Sequence, residues 1–237
     1  MAERIAVGYG SRIDSQNCRL SSLLESMKLT ERDKSILQTL TFKTRLITVE
    51  QAATVWWEHA SVGPVLARRR LKILLDQGLL NMRTLPAYPM LPLSAPVLYW
   101  TPGDPDPDAD AIAYRLTARW TAEYQPTPVY LASRRTAHLL GSLTRGTIRH
   151  PDQITHDLHV SAVYFTFLRN QPDLARRWVG EEEYAPEREH QKLPDAVIKD
   201  AQGQVELVVE FGGKYDALRY RAFHRDCKRR ALPYQLW

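Results

Sequence analysis

The sequence predicts an α+β protein in two structured parts, and three observations predict it. Residues 30–78 hold three short helix-forming stretches marked by capping residues. Residues 79–101 hold two β-forming runs around a proline-rich turn. From His156 onward the pattern reads helix, a short β-forming segment, strand, strand, helix, strand.

Composition fits that plan. A chain of 237 residues with 44% hydrophobic content can bury one large core or two small ones. No apolar run approaches the roughly 18 residues of a membrane span, and the first residues lack the continuous apolar stretch of a signal peptide. A soluble cytoplasmic protein with no membrane partner is the expectation. Cys18 and Cys227 lie far apart and outside any CxxC or Cys/His spacing, so neither a disulfide framework nor a zinc site is expected. The net charge is +5, and the excess sits wholly in residues 1–100, with 13 Lys and Arg against 8 Asp and Glu. Basic surface of this kind suits a polyanion, although a high pI alone also occurs in proteins that bind none.

Residues 1–29 lack a sustained period and are expected to form an arm with a short helical stretch at Ser22–Met27. Thr30 then offers an N-cap hydroxyl, Glu31 and Asp33 fill the first turn, and Ile36, Leu37 and Leu40 form the apolar stripe of a helix ending near Lys43. Thr48 with Gln51 forms a capping-box pattern before VEQAATVWWEHA, which buries Ala52, Val55 and Trp56. A third helix is expected from Val62 to Gln77, closed by Gly78. On it Ala67, Leu71, Leu74 and Leu75 share a core side that Leu66 and Ile73 widen toward Arg70, while Arg68, Arg69 and Lys72 project away. LLNMRTL and VLYWT then read as a hairpin around the loop AYPMLPLSAP.

Three helices and a hairpin is the order of a winged helix-turn-helix. In that fold the third helix enters a major groove and its cations meet phosphates, which makes Arg68, Arg69, Lys72 and, less directly, Arg70 candidate contacts to double-stranded DNA. The same run also fits a solvated helix face, and winged helices also mediate protein contacts.

PGDPDPDAD at 102–110 reads as a linker, dividing the chain into an arm (1–29), a winged helix (30–101), the linker and a C-terminal α/β domain (111–237). In that domain a helix is expected over 111–122, a strand over 128–132 and a short helix from Arg134 to Leu140. A helix from His156 to Arg169 follows, then a Trp178–Glu183 segment, strands DAVIK and QVELVVEF around the turn 201–203, a helix from Tyr215 to Ala231, and a closing strand PYQLW.

Asp195 opens the first of these strands and Glu210 lies near the end of the second, with Lys214 just beyond. Two carboxylates from neighbouring strands can share Mg²⁺ through oxygen ligands, and a lysine beside the metal can orient the attacking water of phosphodiester hydrolysis. These three are the candidate catalytic residues, with Asp195 and Glu210 the candidate metal ligands. The alternative is that they never meet.

Through Pro194-Asp195, Glu210 and Lys214 in this element order, the C-terminal half resembles the PD-(D/E)xK nuclease superfamily. It departs at one place: the superfamily's lysine stands two residues after the acidic residue, where this chain has Gly212. With ARRRLKILLDQGLL, HDLHV, LPDAVI and the final YQLW-like strand, residues 30–237 also resemble the replication-relaxation family of plasmid and mobile-element proteins. That resemblance implies a DNA-associated role in plasmid or integrative-element maintenance or transfer, with a nuclease-like C-terminal domain.

His156, Asp157 and His159 are further candidate ligands if they face Asp195 and Glu210, although a structural role on their helix fits them as well. One member of the run Glu181, Glu182 and Glu183 is another candidate. Three functions are consistent with these residues. The first is a DNA-binding accessory or regulatory protein whose nuclease-like domain is degenerate and serves for homodimer formation or further DNA contact. The second is an active endonuclease using Mg²⁺. The third is a protein-interaction module with partners in a defence or transfer complex.

Overall fold

The computed structural model describes residues 29–142, 148, 153–185 and 193–237. The expected arm, apart from Leu29, lies outside the described residues, as does Cys18.

The three N-terminal helices follow their caps. In α1 (Glu31–Gln38) the Thr30 hydroxyl accepts from the Asp33 amide while the Asp33 carboxylate accepts from the Thr30 amide. The helix runs into a five-residue π turn, Thr39–Lys43. α2 (Val49–Trp56) repeats the device with Thr48 and Gln51. α3 (Gly63–Asp76) ends at Gly78, whose φ of +70° suits a residue without Cβ and lets the Leu79 amide reach back to Leu74 O.

The hairpin expected after α3 does not form. β1 (Leu80–Ala87) pairs with β3 (Gln125–Ala132), antiparallel from Leu80↔Ala132 to Ala87↔Gln125. The second expected arm, β2 (Leu98–Trp100), pairs with the last strand, β7 (Tyr234–Leu236). Burial explains the exchange. Trp100 is almost fully buried, stacks on Tyr234 with centroids 5.5 Å apart and packs edge-on to His224 at 4.9 Å, contacts unavailable in a two-stranded ribbon. Pro89, Pro92 and Pro96 between the two runs also have no N–H to give a ladder.

The second sheet also contains β4 (Trp178–Gly180), β5 (Ala196–Lys199) and β6 (Val205–Glu210). Its order is β2-β7-β6-β5-β4; β6 and β7 are parallel and the other neighbours antiparallel. The remaining helices are α4 (Ala109–Thr117), α5 (Arg134–Leu139), which packs against β3, α6 (Ile154–Asn170), α7 (Pro172–Arg177), the short α8 (Glu181–Tyr184) and α9 (Ala217–Arg229). The fold is thus mixed α+β.

The sheets exchange strands across 102–110: β2, before that segment, joins the sheet built from later residues, and β3, after it, joins β1. One apolar cluster joins Ile36, Leu37, Leu71 and Leu74 to Phe165, Trp178, Val209 and Trp237. Gln51 ties the parts together again by donating to Leu158 O at 2.8 Å. Described residues on either side of 102–110 therefore share one apolar cluster.

Candidate functional site

Antiparallel register brings the two predicted carboxylates together. Ala196 faces Val209 across β5 and β6, so Asp195, one residue before β5, lies opposite Glu210 at the end of β6. The Asp195 amide donates to Glu210 Oε2 at 3.2 Å, and the Phe211 amide donates to Asp195 Oδ2 at 2.6 Å. Tyr215 Oη donates to Glu210 Oε1. Burial and the neighbouring Glu210 charge push the Tyr215 phenol well above its usual range, so it remains a donor.

α6 adds His156, whose Nε2 lies 3.3 Å from Asp195 Oδ1 and whose Nδ1 lies 3.7 Å from Asp157 Oδ1. Burial works against a charge there, but Asp195 and Asp157 outweigh it and hold the imidazole protonated well above the ordinary histidine range. Arg45, from the segment after the π turn, meets three carboxylates: Glu181 at 2.7 Å, Asp157 at 3.3 Å and Glu182 at 3.3 Å. Burial disfavours its charge too, and Asp157, Glu181, Glu182 and Asp195 restore it. Burial also raises the Glu181 carboxyl.

These groups line a cavity of about 60 Å³. The π turn supplies one wall, with Thr41 and Thr44 beside Arg45. Among the described residues Thr41 Oγ1 and Thr44 Oγ1 are buried without a hydrogen-bond partner. Single-turn π segments commonly mark places where a helix has been re-aimed for a site.

The predicted lysine goes elsewhere. Lys214 Nζ donates to Tyr88 Oη at 2.7 Å and sits over the Tyr88 ring. Nor can the position two residues after Glu210 readily carry one. A Cβ on Gly212 would lie 2.8 Å from Leu116 Cδ1 and 3.1 Å from Leu236 Cδ1.

His159 is structural. Its Nδ1 donates to Thr155 O at 2.6 Å, and its Nε2 accepts from the Leu91 amide at 3.0 Å, which defines one neutral tautomer. Burial lowers its pKa to about 4. The ring stacks on Phe211 at 4.8 Å.

The carboxylate oxygens are hard ligands suited to Mg²⁺, but their present partners compete with it. The Asp195 and Glu210 oxygens all face donors of this chain: His156, the Phe211 and Asp195 amides, and Tyr215. Among the described residues no group of three or more His, Cys, Asp or Glu is arranged to hold a metal.

On α3 the four predicted contacts separate. Arg70 Nε donates to Asp33 Oδ1 at 2.6 Å and a second N–H donates to Oδ2. Burial opposes the Asp33 charge, yet Arg70 and Thr30 together hold its carboxyl below the usual range. Arg68 and Arg69 are exposed, and Lys72 is exposed with Asp76 beside it at 2.9 Å.

Arg45 carried no periodic or motif signal, because it sits in the short connection between α1 and α2. Tyr215 read only as the start of a helix. Their roles follow from contacts with residues far along the chain. No helix among the described residues is long and apolar enough to cross a membrane. Comparison with protein-family models, curated proteins and solved structures finds no match.

Proposed function

We propose that the protein is a double-stranded-DNA-binding accessory or regulatory protein of a plasmid or mobile element, with a degenerate nuclease-like domain. The observation that carries the DNA reading is the division of labour on α3. Arg70 anchors the helix to buried Asp33, while Arg68, Arg69 and Lys72 share its exposed side. A helix fixed from behind presents its outer cations in a defined geometry, which suits phosphates flanking a groove. The helix triplet with the β1–β3 ribbon supports a winged-helix reading in which the ribbon's second strand comes from after an insertion.

The degenerate-nuclease reading rests on the order α6, β4, β5, β6, α9, β7, on Asp195 opposite Glu210, and on Gly212 where the resemblance expects lysine. A second reading, an active Mg²⁺-dependent endonuclease, draws on the same carboxylate pair with the His156 cation beside it. It requires Asp195 and Glu210 to exchange their internal donors for metal.

Two measurements separate these readings. Duplex binding is expected to weaken steeply with salt, and the combined variant Arg68→Ala, Arg69→Ala, Lys72→Ala is expected to reduce the log–log salt slope by about 3. Unchanged binding by that variant would sink the α3 reading. Plasmid incubated with Mg²⁺ or Mn²⁺ is expected to stay intact. Nicking by wild type but not by Asp195→Ala would replace the accessory reading with the nuclease one.

A further inference from the structure

We propose that Tyr124, Tyr88 and Lys214 form a stacking platform for unpaired bases, so that the protein holds single-stranded DNA. The Tyr88 ring lies against Tyr124 with centroids 3.9 Å apart and against Trp120 at 5.1 Å. Lys214 Nζ sits 4.0 Å from the Tyr88 centroid and 5.6 Å from that of Trp120. Trp120 is pinned from behind by donating Nε1–H to Gly213 O at 2.9 Å. Its supports are ordered, yet its outer layer is open: Tyr124 is 57% exposed and Lys214 is exposed.

An exposed aromatic ring beside an exposed cation has a chemistry of its own. The ring offers a flat apolar face to any base, and the ammonium offers a partner to the phosphate that follows it. Among the described residues Lys214 makes no ion pair; its ammonium donates to Tyr88 Oη and lies over the Tyr88 ring without a carboxylate to cancel its charge. That ammonium already occupies the aromatic cluster, which argues against a cationic ligand. Bases inside a duplex are stacked on one another and cannot lie on Tyr124, so the occupant is an unpaired strand.

The platform also connects to the carboxylate corner. Trp120 packs edge-on against Phe211 at 6.2 Å, and the Phe211 amide donates to Asp195. The Tyr88 amide donates to Thr155 Oγ1 at 2.9 Å, one residue before His156. This assignment rests on the DNA reading for the kind of polyanion, but it uses none of the α3 residues.

The test is fluorescence anisotropy of labelled short oligo(dT), of the same length of abasic deoxyribose-phosphate strand, and of a duplex. Wild type is expected to bind oligo(dT) more tightly than the abasic strand. Tyr124→Ala is expected to weaken oligo(dT) binding about 5- to 100-fold, with Tyr124→Phe within about 2-fold of wild type. Lys214→Ala is expected to weaken it mainly at low salt. Duplex binding should survive Tyr124→Ala.

The proposal falls if oligo(dT) does not bind, if Tyr124→Ala leaves binding unchanged, or if the abasic strand binds equally well. It also falls if a proline-rich peptide, and not oligo(dT), binds in a Tyr124-dependent way, which would assign the platform to a protein partner. Loss of duplex binding with Tyr124-dependent oligo(dT) binding intact would instead overturn the α3 reading alone. Tyr124 is a surface residue, so its variants test the contact and not the fold.

Discussion

On α3 one cation of four, Arg70, is committed to a buried carboxylate and the other three point outward. Around Asp195 the arrangement is reversed: Arg45 and His156 turn inward onto carboxylates of the same chain. The residue types are alike, and the difference is where the counter-charge comes from. Of the three outward cations Lys72 has only the exposed Asp76 beside it, and exposed cations so weakly engaged are available to a polyanion. Those enclosed by Asp157, Asp195, Glu181 and Glu182 already balance the charge they were brought to meet. A basic run and a carboxylate cluster therefore have to be read with their partners, since neither alone says whether a foreign ligand is needed.

The sharpest way to break this contrast lies at Asp33. Asp33→Ala removes the partner of Arg70 and half of the capping box of α1, and is expected to cost about 2–4 kcal/mol in denaturant unfolding. Arg68→Ala, on the exposed side, is expected to shift stability by less than about 0.5 kcal/mol. A cost at Asp33 under about 1 kcal/mol would put Arg70 on the same footing as a surface pair and remove the anchored-helix argument.

Two histidines of α6 sharpen it from the other side. His159 has a pKa of about 4 in the folded chain against about 6.5 when unfolded, so between these values only the unfolded state takes up a proton. Stability from this group is present above about pH 6.5 and is expected to fall by about 3 kcal/mol as pH drops to about 4. His156 carries the opposite sign. Its raised value means that its contribution is complete below the ordinary histidine range and is lost as pH rises through the folded value. Urea unfolding from pH 7 to pH 4, wild type against His159→Leu, is expected to show a flatter acid limb in the variant. Parallel limbs would show that His159 does not titrate as its burial requires.

What could be seen in the sequence follows the distance between partners. Thr30 with Asp33, and Thr48 with Gln51, are three residues apart, and their caps were legible. Asp195 and Glu210 are joined by a short strand–turn–strand, so the sequence offers their convergence beside the alternative that they never meet, and the strand register decides it. Arg45 meets Asp157 across 112 residues and Glu181 across 136, and no local period reports such a meeting. The β1–β2 hairpin failed for the same reason, because Trp100 found its burial against Tyr234. Lys214 is a catalytic candidate in the sequence only through its proximity to Glu210. Its partner Tyr88 lies 126 residues away, in the proline-rich segment taken for a turn.

Gly212 gives a smaller expected effect and the most direct view of why position 212 carries no side chain. Its backbone needs no left-handed conformation, so an added methyl is opposed by packing alone, chiefly by Leu116 from α4. Gly212→Ala is expected to destabilise by about 1–3 kcal/mol, the usual cost of forcing a methyl into a filled core. Leu116→Ala should cost about 2–5 kcal/mol because it empties a buried site. Together the two should cost less than their sum by about 1 kcal/mol or more, because each relieves the other's defect. A double-mutant cycle from denaturant unfolding reads this coupling directly. Additive costs would mean that Leu116 does not close the position, and the absence of a side chain there would then need a reason other than space.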